Sequence, residues 1–216
     1  MADPAMNKVL TLLALPLFAL PAACGGDGGQ SGTSQQQGDL VGARIGGPFT
    51  LTDQNGAQVT WDSFRGRYPL VYFGYTYCPD ICPVDLQHIM QGFARFEKAH
   101  PALAAKVQPI LITVDPKRDT PATLKTYVAA FHPRLIGLTG TSEQIAKVAK
   151  DFVVVHEESR EGTGNDYLVN HSRTPYLFGP DGKPIALVPV GGPESEGAAA
   201  GNQADKVTAF LEKWVR

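Results

Sequence analysis

The hydrophobic positions of this 216-residue chain repeat with a strand period in some segments and a helix period in others. A nearly continuous apolar run at 70–75 predicts a buried central strand, and residues 107–114 are predicted to form the next strand. Between and after these segments, apolar residues recur three and four positions apart, which predicts amphipathic helices. The predicted helices begin near Pro83, Thr120, Ser142 and Asn202.

Turn residues between short apolar segments predict hairpins at both ends of this pattern. Asp53-Gln54-Asn55-Gly56 separates residues 49–52 from 58–61, and Gly179-Pro180-Asp181-Gly182 separates 176–178 from 185–188. Shorter strands are predicted at 135–138 and 153–155, and a polar loop at 157–166. Because strands and helices alternate between the two hairpins, the fold class is α/β, with a central mixed sheet flanked by helices and an N-terminal β-hairpin extension.

The first 46 residues carry a different pattern. Residues 9–20 are almost wholly apolar, too short to span a bilayer and typical of a secretory signal. Pro21-Ala22-Ala23-Cys24 then resembles a bacterial lipoprotein cleavage site, so we expect a signal peptide over 1–23 and a lipid anchor on Cys24. The alternative is an ordinary signal peptide cut nearby, which would leave Cys24 as a free thiol. Residues 1–5, before a second Met, are a cloning remnant or an alternative start.

Residues 24–46 are rich in Gly, Ser and Gln, so they are predicted to form a flexible tether ahead of a domain over 47–216. Export to the periplasm, or to the extracytoplasmic face of a bacterial membrane, follows from the signal. A formal charge of −2 argues against nucleic acid as a partner. A hydrophobic content of 43% excludes a wholly disordered chain.

Three cysteines are too few for a disulfide scaffold, and two of them form the unit Cys78-Pro79-Asp80-Ile81-Cys82. This unit lies where a predicted strand hands over to a helix, and the N–H groups of a helix start stabilise a thiolate. Side chains four apart share a helix face, so the two sulfurs could form a disulfide or bind one metal ion. Thiolates suit copper or zinc, but a structural zinc site would need four protein ligands.

The sequence by itself does not choose a histidine to complete such a site. Spacing turns His88 away from the cysteine pair, and His100 and His132 each precede a proline at a helix end, where a solvated cap is expected. His156 ends a predicted strand, and His171 is expected in a loop that enters the next one.

Three ordered motifs resemble the SCO/SenC family of exported copper-binding proteins. They are the segment from Tyr72 to Pro83 around the cysteines, the segment from Val114 to Pro121, and the histidine region from Tyr167 to Gly182. The resemblance covers roughly 47–216 and implies a thioredoxin-like fold.

The resemblance also implies a ligand set. It assigns Cys78, Cys82 and His171 as copper ligands and places the acidic Asp115 nearby. Asn170 and Gly179 depart from the family pattern, in which Asp is usual, and this should tune the surroundings of His171 without abolishing binding. Thr174-Pro175 resembles the loop that faces the cysteines in thioredoxin-like proteins, but the sequence leaves its cis or trans isomer open.

Three functions remain open. The first is a monomeric copper metallochaperone that receives copper from another chaperone or passes it to the copper subunit of cytochrome c oxidase, where the resemblance implies assembly of the dinuclear copper centre. The second is a thiol–disulfide oxidoreductase that reduces client cysteines before metallation, since a thiolate is both ligand and nucleophile. The third is a peroxiredoxin, disfavoured because Thr76 lies only two places before Cys78.

Overall fold

The strands predicted at 70–75 and 107–114 form the centre of one sheet. In the computed structural model, which describes residues 40–159, 166–190 and 203–216, the strands Tyr68–Gly74 and Val107–Thr113 pair in parallel, and every residue of both is buried. A strand buried on both faces favours apolar residues at consecutive positions, so the run at 70–75 predicted the central place of its strand correctly.

The described residues form nine strands, five α-helices and one short 3-10 helix at Trp61–Phe64. The strands are β1 (Thr50–Asp53), β2 (Gln58–Thr60), β3 (Tyr68–Gly74), β4 (Val107–Thr113), β5 (Ile136–Thr139), β6 (His156–Glu158), β7 (Val169–His171), β8 (Tyr176–Phe178) and β9 (Pro184–Leu187). The helices are α1 (Ile81–Ala99), α2 (Pro101–Ala104), α3 (Pro121–Ala129), α4 (Ser142–Asp151) and α5 (Gln203–Trp214).

Seven strands form a mixed sheet in the order β2-β1-β5-β4-β3-β8-β9. The three strands β3, β4 and β5 are parallel, and the two hairpins add antiparallel strands at either edge. The mixed α/β sheet with an N-terminal hairpin is therefore confirmed. Within the described ranges, no helix is both long enough and apolar enough to cross a bilayer.

Helix α1 is the element that carries the cysteine pair, and it packs closely against α5. A Cβ atom added at Gly92 would lie only 2.5 Å from the Cβ of Val207, so the two backbones approach to a distance that only glycine allows. Its buried face includes Leu86, Ile89 and Phe93 from the predicted stripe. This packing anchors α1 and fixes the direction of its first turn.

Helix caps agree with the sequence at one position and differ at another. The Oγ1 atom of Thr120 accepts a hydrogen bond from the N–H of Thr123 at 3.2 Å, so Thr120 caps α3 as predicted. Ser142 was the predicted cap of α4, but the cap is Thr141, whose side chain accepts from Gln144 while the Gln144 amide oxygen accepts from Thr141. This reciprocal capping box satisfies two N–H groups, which Ser142 could not do one residue further on.

The predicted strand at 153–155 is wrong. Val153 has φ 57° and ends helix α4, because the N–H of Val154 bonds back to the carbonyl of Ala149 at 2.8 Å. The strand begins only at His156, where β6 pairs with β7 in a two-stranded ribbon that is separate from the main sheet. His171 therefore ends a strand of the β6–β7 ribbon, and does not lie in a loop as predicted.

The boundary of the predicted tether contacts the domain. The N–H of Leu40 donates to the carbonyl of Ile185 at 2.8 Å, and the N–H of Gly46 donates to that of Asp151 at 2.8 Å. The signal peptide over 1–23, Cys24 and the rest of the tether lie outside the described residues, as does Asn202. The Thr174–Pro175 peptide bond is trans.

Candidate metal centre

Cys78 and Cys82 lie at the junction between β3 and α1, as the sequence predicted, and both are free thiols. Cys78 precedes the helix and is partly exposed, whereas Cys82 is its second residue and is 1% exposed. The backbone N–H of Cys82 donates to Cys78 Sγ at 3.3 Å. The first-turn N–H groups of a helix have no partner within the helix, so this sulfur takes the place of a capping oxygen.

His171, which lies 89 positions after Cys82 in the chain, contacts the second cysteine. Its Nε2 atom lies 3.0 Å from Cys82 Sγ, and its Nδ1 atom lies 2.9 Å from the carbonyl oxygen of Ser172. A carbonyl oxygen only accepts, so Nδ1 donates a proton to it. Nε2 is the ring atom that faces the buried sulfur, and in the neutral imidazole its lone pair has the orientation that a soft metal ion would need.

The two thiols differ strongly in acidity. A hydrogen bond from the Cys82 side chain lowers the pKa of Cys78 to about 3, with further support from the Cys82 backbone N–H. Donation of that same hydrogen bond, together with burial, raises the pKa of Cys82. At neutral pH the pair therefore holds one exposed thiolate and one buried thiol.

Asp119, which the sequence reasoning missed, holds the loop that leads to Cys78. This buried carboxylate accepts from the Thr76 N–H at 3.1 Å, from the Thr76 hydroxyl at 2.6 Å and from the Thr113 hydroxyl at 2.6 Å. Burial raises its pKa in spite of these donors. The loop before the first cysteine is therefore fixed to the end of β4.

Asp115 lies close to this region, but its side chain contacts Tyr167 and Arg118. It accepts from the hydroxyl of Tyr167 at 2.7 Å and forms an ion pair with Arg118, whose guanidinium stacks on the Tyr167 ring at 3.7 Å. Among the described residues, no hydrogen bond or ion pair joins Asp115 to Cys78, Cys82 or His171. Its contacts instead fix the chain that enters β7.

A second buried carboxylate, Asp85, was also missed. Its side chain is 0% exposed and accepts two hydrogen bonds from Arg173, at 3.0 and 2.8 Å, and one from the Tyr72 hydroxyl at 3.2 Å. The signal in the sequence was an acidic residue inside the apolar stripe of a helix, three positions after Cys82. An unpaired buried carboxylate is costly, so such a residue implies a cationic partner.

The remaining histidines divide as follows. His100 contacts Glu212 and is partly exposed. His88 and His132 are buried. His132 lies 3.4 Å from Glu97, so the prediction that it forms a solvated helix cap is wrong. His156 lies directly opposite His171 in the β6–β7 ribbon, and burial lowers its pKa. Of the five histidines, His171 is the one that the fold brings to the sulfurs.

A cavity of about 300 Å³ opens beside this group. Its lining includes Cys78, Asp80, Asn170, His171 and Arg173. Asn170 faces Glu157 across the ribbon and is exposed, so the departure noted in the sequence lies at the rim.

Two sulfurs and one imidazole nitrogen are the donors that suit copper. Within the described residues, no set of three or more His, Cys, Asp or Glu side chains is spaced as a closed metal site. Cys82 Sγ and His171 Nε2 lie 3.0 Å apart, in direct contact. A metal ion would have to enter between these two atoms in order to bind both.

Comparison with known proteins identifies close relatives. The SCO1/SenC family model matches residues 37–204. Protein SCO2 homolog, mitochondrial, from Bos taurus is 45% identical over 155 residues, which are 71% of this chain and 58% of the relative. The chain thus spans about half the length of the curated relatives that it matches.

Solved structures agree with these matches. Bradyrhizobium japonicum ScoI with copper bound is 37% identical with a TM-score of 0.67, covering 79% of this chain and 99% of that one. BsSco, described as a member of the Sco family of cytochrome c oxidase assembly proteins with a disulfide switch, is 25% identical with a TM-score of 0.57, covering 83% and 96%.

The same comparison confirms the predicted fold. The thioredoxin domain of a thiol-disulfide oxidoreductase from Bacteroides vulgatus is 16% identical with a TM-score of 0.53, covering 80% of this chain and 96% of that one. At this identity the match shows the fold alone. The domain is thioredoxin-like.

Proposed function

This chain belongs to the SCO1/SenC family, and from that premise we propose that it is a copper metallochaperone. It binds one copper ion through Cys78, Cys82 and His171 and delivers it for assembly of the dinuclear copper centre of cytochrome c oxidase. The observation that carries the proposal is the 3.0 Å contact between Cys82 Sγ and His171 Nε2, beside a second sulfur at the same helix start. The copper-bound ScoI structure supports copper as the metal, and the membership of BsSco in a family of cytochrome c oxidase assembly proteins supports the client.

The arrangement suggests an order of events. The partly exposed Cys78 thiolate makes the first bond to arriving copper, because it is already deprotonated and accessible. Cys82 then loses its proton, and its sulfur and the His171 lone pair turn from each other toward the metal. Two thiolates favour Cu(I), and the imidazole adds the ligand that permits Cu(II). Release to a client reverses the order, with Cys78 the first ligand to exchange.

Metal titration tests the proposal. Reduced protein should bind one equivalent of Cu(I) in competition with a chromophoric chelator, and Cys78→Ser and Cys82→Ser should each weaken binding by roughly a hundredfold or more, since hydroxyl oxygen is a poor ligand for this soft ion. Cys24→Ser is the matched control and should bind like the wild type. Unchanged Cu(I) affinity in both site variants would refute the assignment.

A thiol–disulfide oxidoreductase is the second candidate, favoured by the thiolate–thiol pair. Cys78 would attack a client disulfide, Cys82 would then attack Cys78 and release the client dithiol, and an external thiol would reduce the resulting Cys78–Cys82 disulfide. Turnover of a disulfide substrate should vanish in either cysteine variant and persist in His171→Ala. Loss of turnover in His171→Ala would contradict this simple dithiol mechanism.

We further propose that the chain is exported and held at the extracytoplasmic face of a membrane by lipid on Cys24. The apolar segment and the small residues before Cys24 support this placement. Mass spectrometry of protein extracted from membranes should find diacylglycerol on an N-terminal Cys24. A mature protein that retains residues upstream of Cys24 would rule out the anchor.

A further inference from the structure

The buried carboxylate of Asp85 joins two segments that carry site residues. Asp85 lies three residues after Cys82 on α1, and Arg173 lies two residues after His171. The guanidinium donates to both carboxylate oxygens, from Nε at 3.0 Å and from Nη2 at 2.8 Å. This two-point contact fixes direction as well as distance, because the planar fork of Arg matches a carboxylate in one orientation.

Arg173 ties the segment after β7 to α1, while backbone bonds hold this segment to other parts of the chain: the N–H of Ser172 donates to the carbonyl of Val155 at 2.9 Å. His171 ends β7, and the β6–β7 ribbon shares no backbone pairing with the seven-stranded sheet. The ribbon side is also held by the Val169 N–H, which donates to the Tyr75 hydroxyl at 3.1 Å. The place of His171 relative to α1 therefore depends on side chains. Apart from the contact of His171 itself with Cys82, the contact with α1 that lies nearest in sequence is that of Arg173 with Asp85.

Tyr72 connects the same carboxylate to the imidazole. Its hydroxyl donates to Asp85 Oδ2 at 3.2 Å, and its ring lies edge-on to the His171 ring with centroids 6.3 Å apart. The three donors satisfy Asp85, which is 0% exposed, while Arg173 remains 37% exposed at the cavity that contains Cys78 and His171. The buried Asp85 carboxylate thus orients two things: the Tyr72 ring, against which the imidazole packs, and the segment that carries His171 and Arg173.

We propose that the Asp85–Arg173 pair is a positioning device that holds His171 at Cys82 and thereby controls Cu(II) binding selectively. The inference rests on the proposed function, since it assigns His171 as a copper ligand. Cu(I) is satisfied by the two thiolates of one helix start, which the pair does not join. Cu(II) uses the imidazole as well, so it depends on how closely the ribbon is tied to α1.

Different variants of the Asp85–Arg173 pair remove its hydrogen bonds, its forked geometry or both of its charges. Arg173→Met removes both hydrogen bonds, and Arg173→Lys keeps the charge without the fork. Arg173→Met combined with Asp85→Leu replaces the pair by apolar groups and leaves no buried charge unpaired, so it retains the fold if Arg173→Met alone does not. Arg95→Met is the matched control, because Arg95 lies on α1, as Asp85 does, but pairs with Asp205 of α5 at an exposed position.

Copper affinity and spectra in both oxidation states test the proposal. Arg173→Met and the double variant should weaken Cu(II) binding by about tenfold to a hundredfold and shift its thiolate charge-transfer band, as loss of an orienting partner does elsewhere. Cu(I) affinity should stay within about threefold of the wild type, because neither thiolate is displaced. Arg173→Lys should recover part of the Cu(II) affinity, and Arg95→Met should match the wild type.

Two results would overturn the inference: a folded Arg173→Met with wild-type Cu(II) affinity and spectrum, or equal losses of Cu(I) and Cu(II), which would show a general structural role. The wild type and His171→Ala separate this failure from that of the proposed function. If the wild type binds no copper, or if His171→Ala keeps the wild-type Cu(II) spectrum, the ligand set itself is wrong. If both behave as proposed, the positioning role stands or falls on the Arg173 variants.

Discussion

The Nε2 atom of His171 lies 3.0 Å from the Sγ atom of Cys82, although 89 positions separate the two residues in the chain. The carbonyl of Ser172 accepts from Nδ1, so in the neutral imidazole the nitrogen that faces the sulfur is the one with a lone pair. The geometry of this contact predicts how His171 and the two cysteines should each contribute to copper binding and to thiol reactivity.

Replacement of His171 should separate the two oxidation states of copper. His171→Ala should still bind one equivalent of Cu(I), because both thiolates remain, but its Cu(II) complex should be weaker by about tenfold or more and have a changed absorption and electron paramagnetic resonance spectrum. His100→Ala, which removes a partly exposed imidazole paired with Glu212, is the control. A wild-type Cu(II) spectrum in His171→Ala would remove His171 from the site.

The two cysteines should react at very different rates. Since the pKa of Cys78 is lowered to about 3, its alkylation by iodoacetamide should be nearly independent of pH between 5 and 8, while the buried Cys82 should stay unmodified. Cys82→Ala removes the hydrogen bond that is the largest cause of this shift, so the alkylation midpoint of Cys78 should move up toward neutral pH. Peptide mapping after timed alkylation measures both rates, and an unchanged midpoint in Cys82→Ala would contradict the assigned cause.

Replacement of Asp119 should lower the free energy of unfolding by an amount that depends on pH. Asp119→Asn should lower the free energy of unfolding at pH 7 by about 1–3 kcal/mol, because the carboxylate accepts three hydrogen bonds in a buried place.

The sign of its pH dependence follows from the raised pKa of Asp119. The native state then binds a proton more readily than the unfolded state, so this group adds stability as pH falls through the folded pKa. The difference between wild type and Asp119→Asn should therefore widen from pH 7 toward pH 4 in urea denaturation. If the stability difference between the wild type and Asp119→Asn narrows toward pH 4, the three hydrogen-bond donors lower the pKa of Asp119 by more than burial raises it.

Val153 should be a site where a smaller residue stabilises the protein. Its φ of 57° is strained for a β-branched side chain, and the side chain is 60% exposed, so little packing is lost on truncation. Val153→Gly should raise the free energy of unfolding by about 0.5–1 kcal/mol after the entropy cost of glycine is subtracted. Val155→Gly is the control: Val155 is also exposed but has no positive φ, so glycine there should destabilise the protein in thermal unfolding.

Some features of this protein were visible in its sequence because they depend on neighbours in the chain. The buried strand β3 was predicted from a nearly continuous apolar run, the start of α3 from Thr120 before Pro121, and the location of the cysteine pair from its place between a predicted strand and a predicted helix. The end of α4 was misjudged, since three valines favour a strand locally while the preceding helix requires a left-handed residue to terminate it.

The β6–β7 ribbon left no such signal. His156-Glu157-Glu158 and Val169-Asn170-His171 carry no apolar alternation, and they form strands because they pair with each other. Asp85 was visible as a polar residue in an apolar stripe, but its partner Arg173 lies 88 positions away. A local pattern cannot show which distant segment meets it.

The sequence by itself determined the layered α/β fold, the location of the cysteine pair and, through its motifs, the family. The tertiary structure decided which of five histidines reaches a sulfur, that Asp115 binds Arg118 and not the cysteines, and that Asp85 ties the histidine arm to α1. The division has a physical reason. Burial and capping are set by residues within a few positions of each other, whereas the site is formed by segments that only the packing of the whole domain brings together.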